Sequence, residues 1–426
     1  MSKLAIHGGA AVGALNVPAW PIFGKRELEL VADVVSSGNW GFLGPKEQEF
    51  EASFARFCGT GYGVAVANGT VSLKLALEAL GIGPGDEVIV PGLTWQATAT
   101  AVLDVNAVPV LVDVEPDTYT IDPRAIEAAV TTRTRAIIPV HLYGRIADMD
   151  AIMRLADRYR LHVVEDCAHQ HGSEWKGRPV GSIGSVGSFS FQSSKIINAG
   201  EGGFLTTNSQ GLADLLQSLK MCGRDARAGA PVMHSGNYRM TEFQAAILIA
   251  QLDRLETQNA ERDRNALELE RALSELPGLR PLYRSPNITK QSYYCLTVRY
   301  DREAWDGIPK EAFMAALVAE LEGTLNCSNV YEPLNASPFY NPRNKNTHKL
   351  SDAYWRAIDP SRFELPVSER AFAEEAINFS HTMLLLGAAD RRRLADAANK
   401  IFEHRHELRE AAQTRRSQRE PLSEVV

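Results

Sequence analysis

Between about Tyr62 and Thr207 the chain alternates short, almost entirely apolar runs with amphipathic helical stretches. The runs are Gly63–Ala67, Glu87–Pro91, Val108–Val112, Ala136–Val140, His162–Glu165, Val186–Phe191 and Gly203–Thr206. They are rich in Val and Ile and carry no polar alternation, as expected of strands buried on both faces. Between them, Thr70–Leu80 places Leu73, Ala76, Leu77 and Leu80 on one helical stripe, and Met149–Tyr159 is a second helical stretch. Strand–helix–strand alternation predicts an α/β fold, with a mostly parallel central sheet and helices on both faces.

The pattern changes after this region. Thr241–Leu273 reads as one long helix with Phe243, Ile247, Ala250 and Leu255 towards the core. Beyond it come a strand at Tyr293–Tyr300, a helix at Pro309–Glu322, a strand at Ala376–Leu386 and a helix from Asp390 to about Glu410. This predicts a large domain over 1–255 with an N-terminal arm over 1–25, a smaller α+β domain over 256–410, and a flexible tail over 411–426. Ser328–Pro360, rich in Pro, Asn and aromatics, reads as a long loop, the kind of segment that often carries function.

With 426 residues and a net charge of -7, the chain can bury a large core and has no electrostatic footprint for nucleic acid. Five cysteines with no C-x-x-C pair suggest reduced thiols rather than disulfides or a zinc site, so no metal is expected. There is no signal-like apolar region and no run long enough to cross a bilayer, so the reading is a cytoplasmic protein without a membrane partner.

Several residues could carry chemistry. Asp166 ends a buried strand, where ligands bind in open α/β sheets, and a carboxylate there can pair with a protonated pyridine nitrogen. It reads equally well as a solvated strand-end acid or helix cap. Lys195 follows a strand and stands among small residues, with Gly200, Gly202 and Gly203 just beyond. Its amine could form a Schiff base and then move protons, although a lone lysine is more often a surface residue. Ser190, between Phe189 and Phe191, needs a hydrogen-bond partner on a strand that otherwise reads as buried, and a phosphate oxygen would serve. Asn68-Gly69-Thr70 opens a helix whose N-terminus could hold a phosphate, or could simply be capped by Asn68 or Thr70. Trp95 could stack on a flat ring or belong to a core or interface. His169 and His171 closely follow Asp166. An amine, a strand-end carboxylate and a phosphate-holding helix start are the three handles that grip pyridoxal phosphate. Nucleotide-binding glycine motifs and a nucleophile elbow are absent from the sequence.

Taken together, Asn68-Gly69-Thr70, Glu165-Asp166-Cys167-Ala168-His169, Ser190-Phe191-x3-Lys195, Gly200-Glu201-Gly202-Gly203 and Asn237-Tyr238-Arg239-Met240 resemble the sugar aminotransferases of the DegT/DnrJ/EryC1/StrS family. The resemblance runs from about Pro18 to Glu410. It implies the fold-type I pyridoxal phosphate architecture and a homodimer with a shared active site. By the same resemblance Lys195 forms the Schiff base, Asp166 pairs with the pyridine nitrogen, Trp95 stacks on the ring and His169 lies near the phenolic oxygen. Gly69, Thr70 and Ser190 hold the phosphate, and Asn237 reaches it from the partner subunit.

Pro91-Gly92-Leu93-Thr94-Trp95, Val105–Val110, Phe189–Lys195 and Asp359–Phe363 are most similar to the cyclitol branch. These are the L-glutamine:scyllo-inosose and 2-deoxy-scyllo-inosose aminotransferases of aminoglycoside antibiotic biosynthesis. That implies ping-pong transamination onto an uncharged, polyhydroxylated ketone, with Trp40, Tyr331, Tyr340 and His381 as candidate substrate contacts. The alternatives are a nucleotide-linked keto sugar as substrate, a pyridoxal phosphate dehydratase or aminohydroxybenzoate synthase, and a non-catalytic cofactor-binding regulator. Lys195 argues against a dehydratase, since the sugar 3-dehydratases of the family carry histidine there. The lack of a spare DNA-binding domain argues against a regulator.

Overall fold

A computed structural model describes residues 3–225, 229–344 and 351–409. Seven strands form the main sheet: β1 Tyr62–Val66, β2 Glu87–Pro91, β3 Val108–Val112, β4 Thr134–Ile137, β5 His162–Asp166, β6 Val186–Ser190 and β7 Gly203–Thr207. Their spatial order is β1-β7-β6-β5-β4-β2-β3. All run parallel except β7, which is antiparallel to both of its neighbours. Every residue of β2 and β7 is buried, which explains the missing polar alternation.

Successive side chains of each strand enter different layers. Ala65, Ile89, Val163, Phe189 and Phe204 pack on one face, while Val64, Val66, Val88, Val90, Val164 and Leu205 pack on the other. The first face is closed by the helices Lys25–Ser37 and Pro45–Phe57 and by a long helix, Glu242–Ser274. At its centre Phe50 and Phe54 meet Phe189, Phe191 and Phe204 edge to face, with ring centroids 4.9 to 5.5 Å apart. Each such contact adds about 0.5–1.5 kcal/mol beyond simple burial. The second face is closed by the helices Gly69–Ala79, Ala97–Asp104 and Gln210–Lys220.

The long helix starts with a reciprocal cap between Thr241 and Gln244 and runs unbroken for 33 residues. Ala245, Ala246, Leu248 and Leu255 pack in the main core, whereas Ala266, Leu269 and Leu273 pack in a second one. One rigid element therefore joins two cores. The second core backs an antiparallel sheet of β8 Leu279–Pro281, β9 Cys295–Tyr300, β10 Cys327–Asn329 and β11 Ala376–Ser380, in the order β8-β9-β11-β10. The helices Lys310–Glu320 and Ala388–Glu403 cover it.

Four sequence expectations need correction. The strand expected over Ala376–Leu386 stops at Ser380, whose hydroxyl accepts from Thr382 N–H and opens a 3-10 turn over His381–Leu385. The helix expected to reach Glu410 is interrupted at His404, and helical residues resume over 405–409. Ser328–Pro360 is not all loop, since its first residues belong to β10 and Asp352–Ala357 is helical. The N-terminal arm, grouped by sequence with the large domain, buries Leu4 and Leu15 in the second core. The expected tail over 411–426 lies outside the described residues. No described helix is long and apolar enough to cross a membrane.

Candidate active site

The parallel strands end on one side of the sheet, and there a cavity of about 710 Å³ opens. This is where open α/β sheets bind ligands. Of the residues singled out from sequence, Gly69, Thr70, Trp95, Asp166, His169, Ser190, Lys195 and Tyr331 line it. They come from the ends of β1, β2, β5 and β6 and from Tyr331, in the segment that follows β10.

Asp166 closes β5. Its Oδ2 accepts from Thr98 Oγ1 at 3.0 Å and its Oδ1 from Ala168 N–H at 3.2 Å. Burial pushes its carboxyl up, while these bonds and the nearby Lys195 ammonium pull the other way. Lys195 follows β6 in a turn held by Lys195 N–H to Gln192 O at 2.8 Å. Phe191 N–H to Gly202 O and Ser193 N–H to Gly200 O staple that turn to the glycine segment. Gly200 adopts φ +81°, which favours glycine there. The Lys195 ammonium lies 4.2 Å from the Tyr294 ring centroid. It makes no hydrogen bond to any described residue. Burial lowers its pKa to about 8, against the pull of Asp166.

The helix Gly69–Ala79 points its N-terminus into the cavity, with Asn68 capping Val71 N–H at 2.9 Å. A Cβ on Gly69 would meet Ser190 Cβ at 2.6 Å, and one on Gly203 would meet Asn68 O at 2.2 Å. The close approach that these glycines permit is therefore between protein segments. It sets the Ser190 hydroxyl beside the first N–H groups of the helix, and a phosphate there would gain both kinds of donor.

His169 Nε2 meets Tyr331 Oη at 3.2 Å, and its ring centroid lies 4.1 Å from that of Tyr294. Burial holds it well below the usual histidine range, so it is neutral, and its Nδ1 is buried without a partner. Tyr331 is itself oriented by its N–H donating to Tyr143 Oη at 2.6 Å. Trp95, 45% exposed, stands at the wall with its centroid 5.6 Å from that of Tyr331. An amine, a buried carboxylate, a helix N-terminus and an unsatisfied buried imidazole nitrogen are the groups that pyridoxal phosphate needs, so the residues fit that cofactor.

Three expected contacts lie elsewhere. Tyr340 is 3% exposed and packs on the second face of the main sheet with Leu334 and Leu365, because its loop folds back onto the sheet. His381 is buried behind the lysine turn with both ring nitrogens occupied, one facing Arg262 and the other Ser194 O. Trp40 is 53% exposed and packs against Phe243, outside this cavity. Asn237, expected at the partner subunit's phosphate rather than at this chain's own, is exposed and does not line this chain's cavity.

Sequence reasoning missed Thr98 and Tyr294. Thr98 is an ordinary helical residue that becomes significant only through its bond to Asp166. Tyr294 carried a usable signal, since strand alternation sends adjacent Tyr293 and Tyr294 to opposite sides. Tyr293 enters the core and Tyr294 the cavity. A buried group of His141, Glu165 and Cys167 has metal-like proximity. However, Glu165 accepts from Gly181, Ile183 and Gly184 N–H groups and from His141, so its oxygens serve the scaffold.

Fold and cavity define a pyridoxal phosphate-dependent aminotransferase. The profile of the DegT/DnrJ/EryC1/StrS aminotransferase family matches residues 21–378, and the chain belongs to that family. It is 42% identical to an L-glutamine:2-deoxy-scyllo-inosose aminotransferase of Streptoalloteichus tenebrarius, over 95% of this chain and 99% of that protein. It is also 42% identical to the L-glutamine:scyllo-inosose aminotransferase of Streptomyces griseus, over 96% and 99%. The crystal structure of 3-amino-5-hydroxybenzoic acid synthase superposes with a TM-score of 0.80 at 32% identity, over 91% of this chain and 99% of that one.

Proposed function

We propose that this protein transfers the amino group of L-glutamine to a keto-cyclitol, scyllo-inosose or its 2-deoxy form, in aminoglycoside biosynthesis. Support comes from the 42% identical relatives and, in the structure itself, from the chemistry of the cavity wall. Among the described residues the lining holds a single lysine, Lys195, and no arginine. Its other polar groups include Asn68, Thr70, Thr94, Ser188, Gln192, Ser194, Tyr294 and Tyr331, with carboxylates at Asp166 and Glu201. Such a wall suits an uncharged polyol. The diphosphate of a nucleotide-linked sugar calls for cationic partners beyond Lys195, and the described residues of the lining supply none.

Pyridoxal phosphate, when bound, supplies an electron sink for removal of the donor's α-proton. The chain's own residues do the rest. Lys195 Nζ would hold the cofactor and would be the base that takes the donor's α-proton and passes it on. Its lowered pKa keeps part of the amine neutral near neutral pH, as a base requires. Asp166, oriented by Thr98 and Ala168 N–H, holds the proton of the ring nitrogen. Neutral His169, with its free Nδ1, would meet the phenolic oxygen, and Trp95 would cover the ring. Gly69, Thr70 and Ser190 receive the phosphate.

The working form is a homodimer in the cytoplasm, with Asn237 completing the partner's phosphate site. Phe23, Leu28, Val35, Trp40 and Phe42 are all exposed, and Arg239, two residues from Asn237, stacks 3.9 Å from the Phe42 ring centroid. Exposed apolar surface next to Asn237 supports a covered interface there. The division into domains over 1–255 and 256–410 follows the two cores in part: Leu4 and Leu15 of the arm pack in the second core, and Leu334, Tyr340 and Leu365 pack against the main sheet. The reading is tested with L-glutamine labelled with 15N at the α-amino group. Labelled amino-cyclitol should form from an inosose, and no product should form from 4-keto nucleotide sugars.

A further inference from the structure

The long helix carries a buried polar stripe that the reaction leaves unexplained. Asn259, Arg262 and Asn265 are 7%, 0% and 3% exposed. The two asparagines are tied to backbone, Asn259 Nδ2 donating to His171 O and Asn265 Nδ2 to Leu384 O. Arg262 has no hydrogen bond to a carboxylate among the described residues, and its Nε and Nη1 have no partner. Its guanidinium carbon lies 5.3 Å from the Trp20 ring centroid, and Nη2 reaches His381 Nδ1 at 3.4 Å. A buried guanidinium without an ion pair is costly and calls for a reason.

The contacts beyond it supply one. Nδ1 facing a guanidinium must be the acceptor, so His381 carries its proton on Nε2. That Nε2–H donates to Ser194 O at 3.2 Å. The next carbonyl along, Lys195 O, accepts from Trp20 Nε1–H at 3.2 Å and from Asn198 Nδ2–H at 3.3 Å. The Trp20 and His381 rings meet edge to face, 4.5 Å apart. Three remote elements thus converge on two successive carbonyls at the lysine: the N-terminal arm, the long helix and the turn after β11. The arm is itself pinned to the second core, with Leu15 N–H to Thr324 Oγ1 at 2.9 Å and Gly13 N–H to Glu320 O at 3.1 Å.

We propose that Trp20, His381 and Arg262 are positioning residues that lock the backbone at Lys195 and so hold its Nζ over the Tyr294 ring. Arg262 sets the polarity of this relay. A cation against Nδ1 keeps that nitrogen unprotonated and leaves Nε2–H as the only donor for Ser194 O. The inference rests on the proposed role of Lys195.

The test compares His381→Phe, which keeps a ring against Trp20 but removes the donor, with His381→Gln, whose amide can accept from Arg262 and donate to Ser194 O. Trp20→Phe and Arg262→Met are read alongside. Three quantities are measured: the thermal midpoint, kcat and KM separately, and the pH at which Lys195 of the cofactor-free protein is half-labelled by acetic anhydride. Of the titratable groups around that amine, Asp166, His169, His171, Tyr294 and Cys295 are unchanged in all four variants, and His381, replaced in two of them, is held neutral by burial and so takes no charge away.

For His381→Phe and Trp20→Phe, kcat should fall at least about tenfold with KM within about twofold, as a mispositioned nucleophile requires. Half-labelling should rise from near pH 8 towards the ordinary lysine value, as water reaches the loosened turn. His381→Gln should retain most of kcat and the parent midpoint, and Arg262→Met should resemble His381→Phe. A stability loss common to the His381 variants, with kcat and labelling unchanged in each, would overturn the proposal. If His381→Phe does not fold, Arg262→Met decides by the same readouts. Lys195→Ala is the control. If it is inactive while the positioning variants match the parent, only this inference fails. If it retains parental activity, the role of Lys195 fails and this inference with it.

Discussion

At the scale of single residues, the site works by withholding water from two charged groups of opposite sign. Burial raises Asp166 and lowers Lys195, and each partly offsets the other. Asp166→Asn should keep the fold, because Thr98 and Ala168 lose only one charged acceptor. It should lower kcat by about a hundredfold or more, since a neutral amide cannot hold a proton on the ring nitrogen. Steady-state kinetics with a thermal melt as control checks this. Lys195 gives a second, pH-dependent prediction. Its folded-state pKa, about 8, lies below the ordinary 10.5, so the ammonium destabilises the cofactor-free fold fully below about pH 8. That penalty fades as pH rises from about 8 to 10.5. Lys195→Met should therefore raise the melting temperature of cofactor-free protein at pH 7, and the gain should shrink towards pH 10.5.

At the scale of elements, the packing of the helix Gly69–Ala79 against β6 and β7 decides whether the phosphate cradle exists. Gly69→Ala drives a methyl into Ser190 Cβ, 2.6 Å away, and should cost about 1–3 kcal/mol in denaturant unfolding. Ser190→Gly in the same chain should recover most of that stability but not cofactor affinity, because the hydroxyl is gone. Equilibrium dialysis against pyridoxal phosphate separates the two effects. The elements themselves were readable in the sequence where one physical term dominates. Val88, Ile89 and Val90 announce a strand buried on both faces, and Asn68 announces a helix start. What was not readable depends on contacts between distant segments. Ser380 ends its strand by capping a turn, which the apolar run through Met383-Leu384-Leu385 conceals. Thr98 gains its meaning 68 residues away, at Asp166. Tyr340 looked like a loop aromatic until its loop folded onto Leu334 and Leu365.

At the scale of the whole molecule, the proposed dimer makes a prediction that a monomer cannot satisfy. If Asn237 serves the partner's site, Lys195→Ala and Asn237→Ala chains are each defective alone. Mixed after reversible dissociation, half of the dimers pair one chain of each kind. Each such hybrid holds one site with both native residues, so activity should return to about a quarter of the parent per chain. No recovery on mixing would place Asn237 within its own subunit's chemistry or outside the site.

The most direct test of the central claim is the half-reaction spectrum. Protein loaded with pyridoxal phosphate should show the visible band of the lysine-bound cofactor. L-Glutamine alone should abolish that band, and scyllo-inosose or 2-deoxy-scyllo-inosose, added after the donor is removed, should restore it. Restoration by a 4-keto nucleotide sugar and by neither inosose would contradict the substrate assignment. A Lys195→Ala protein that behaves like the parent would contradict the chemistry itself.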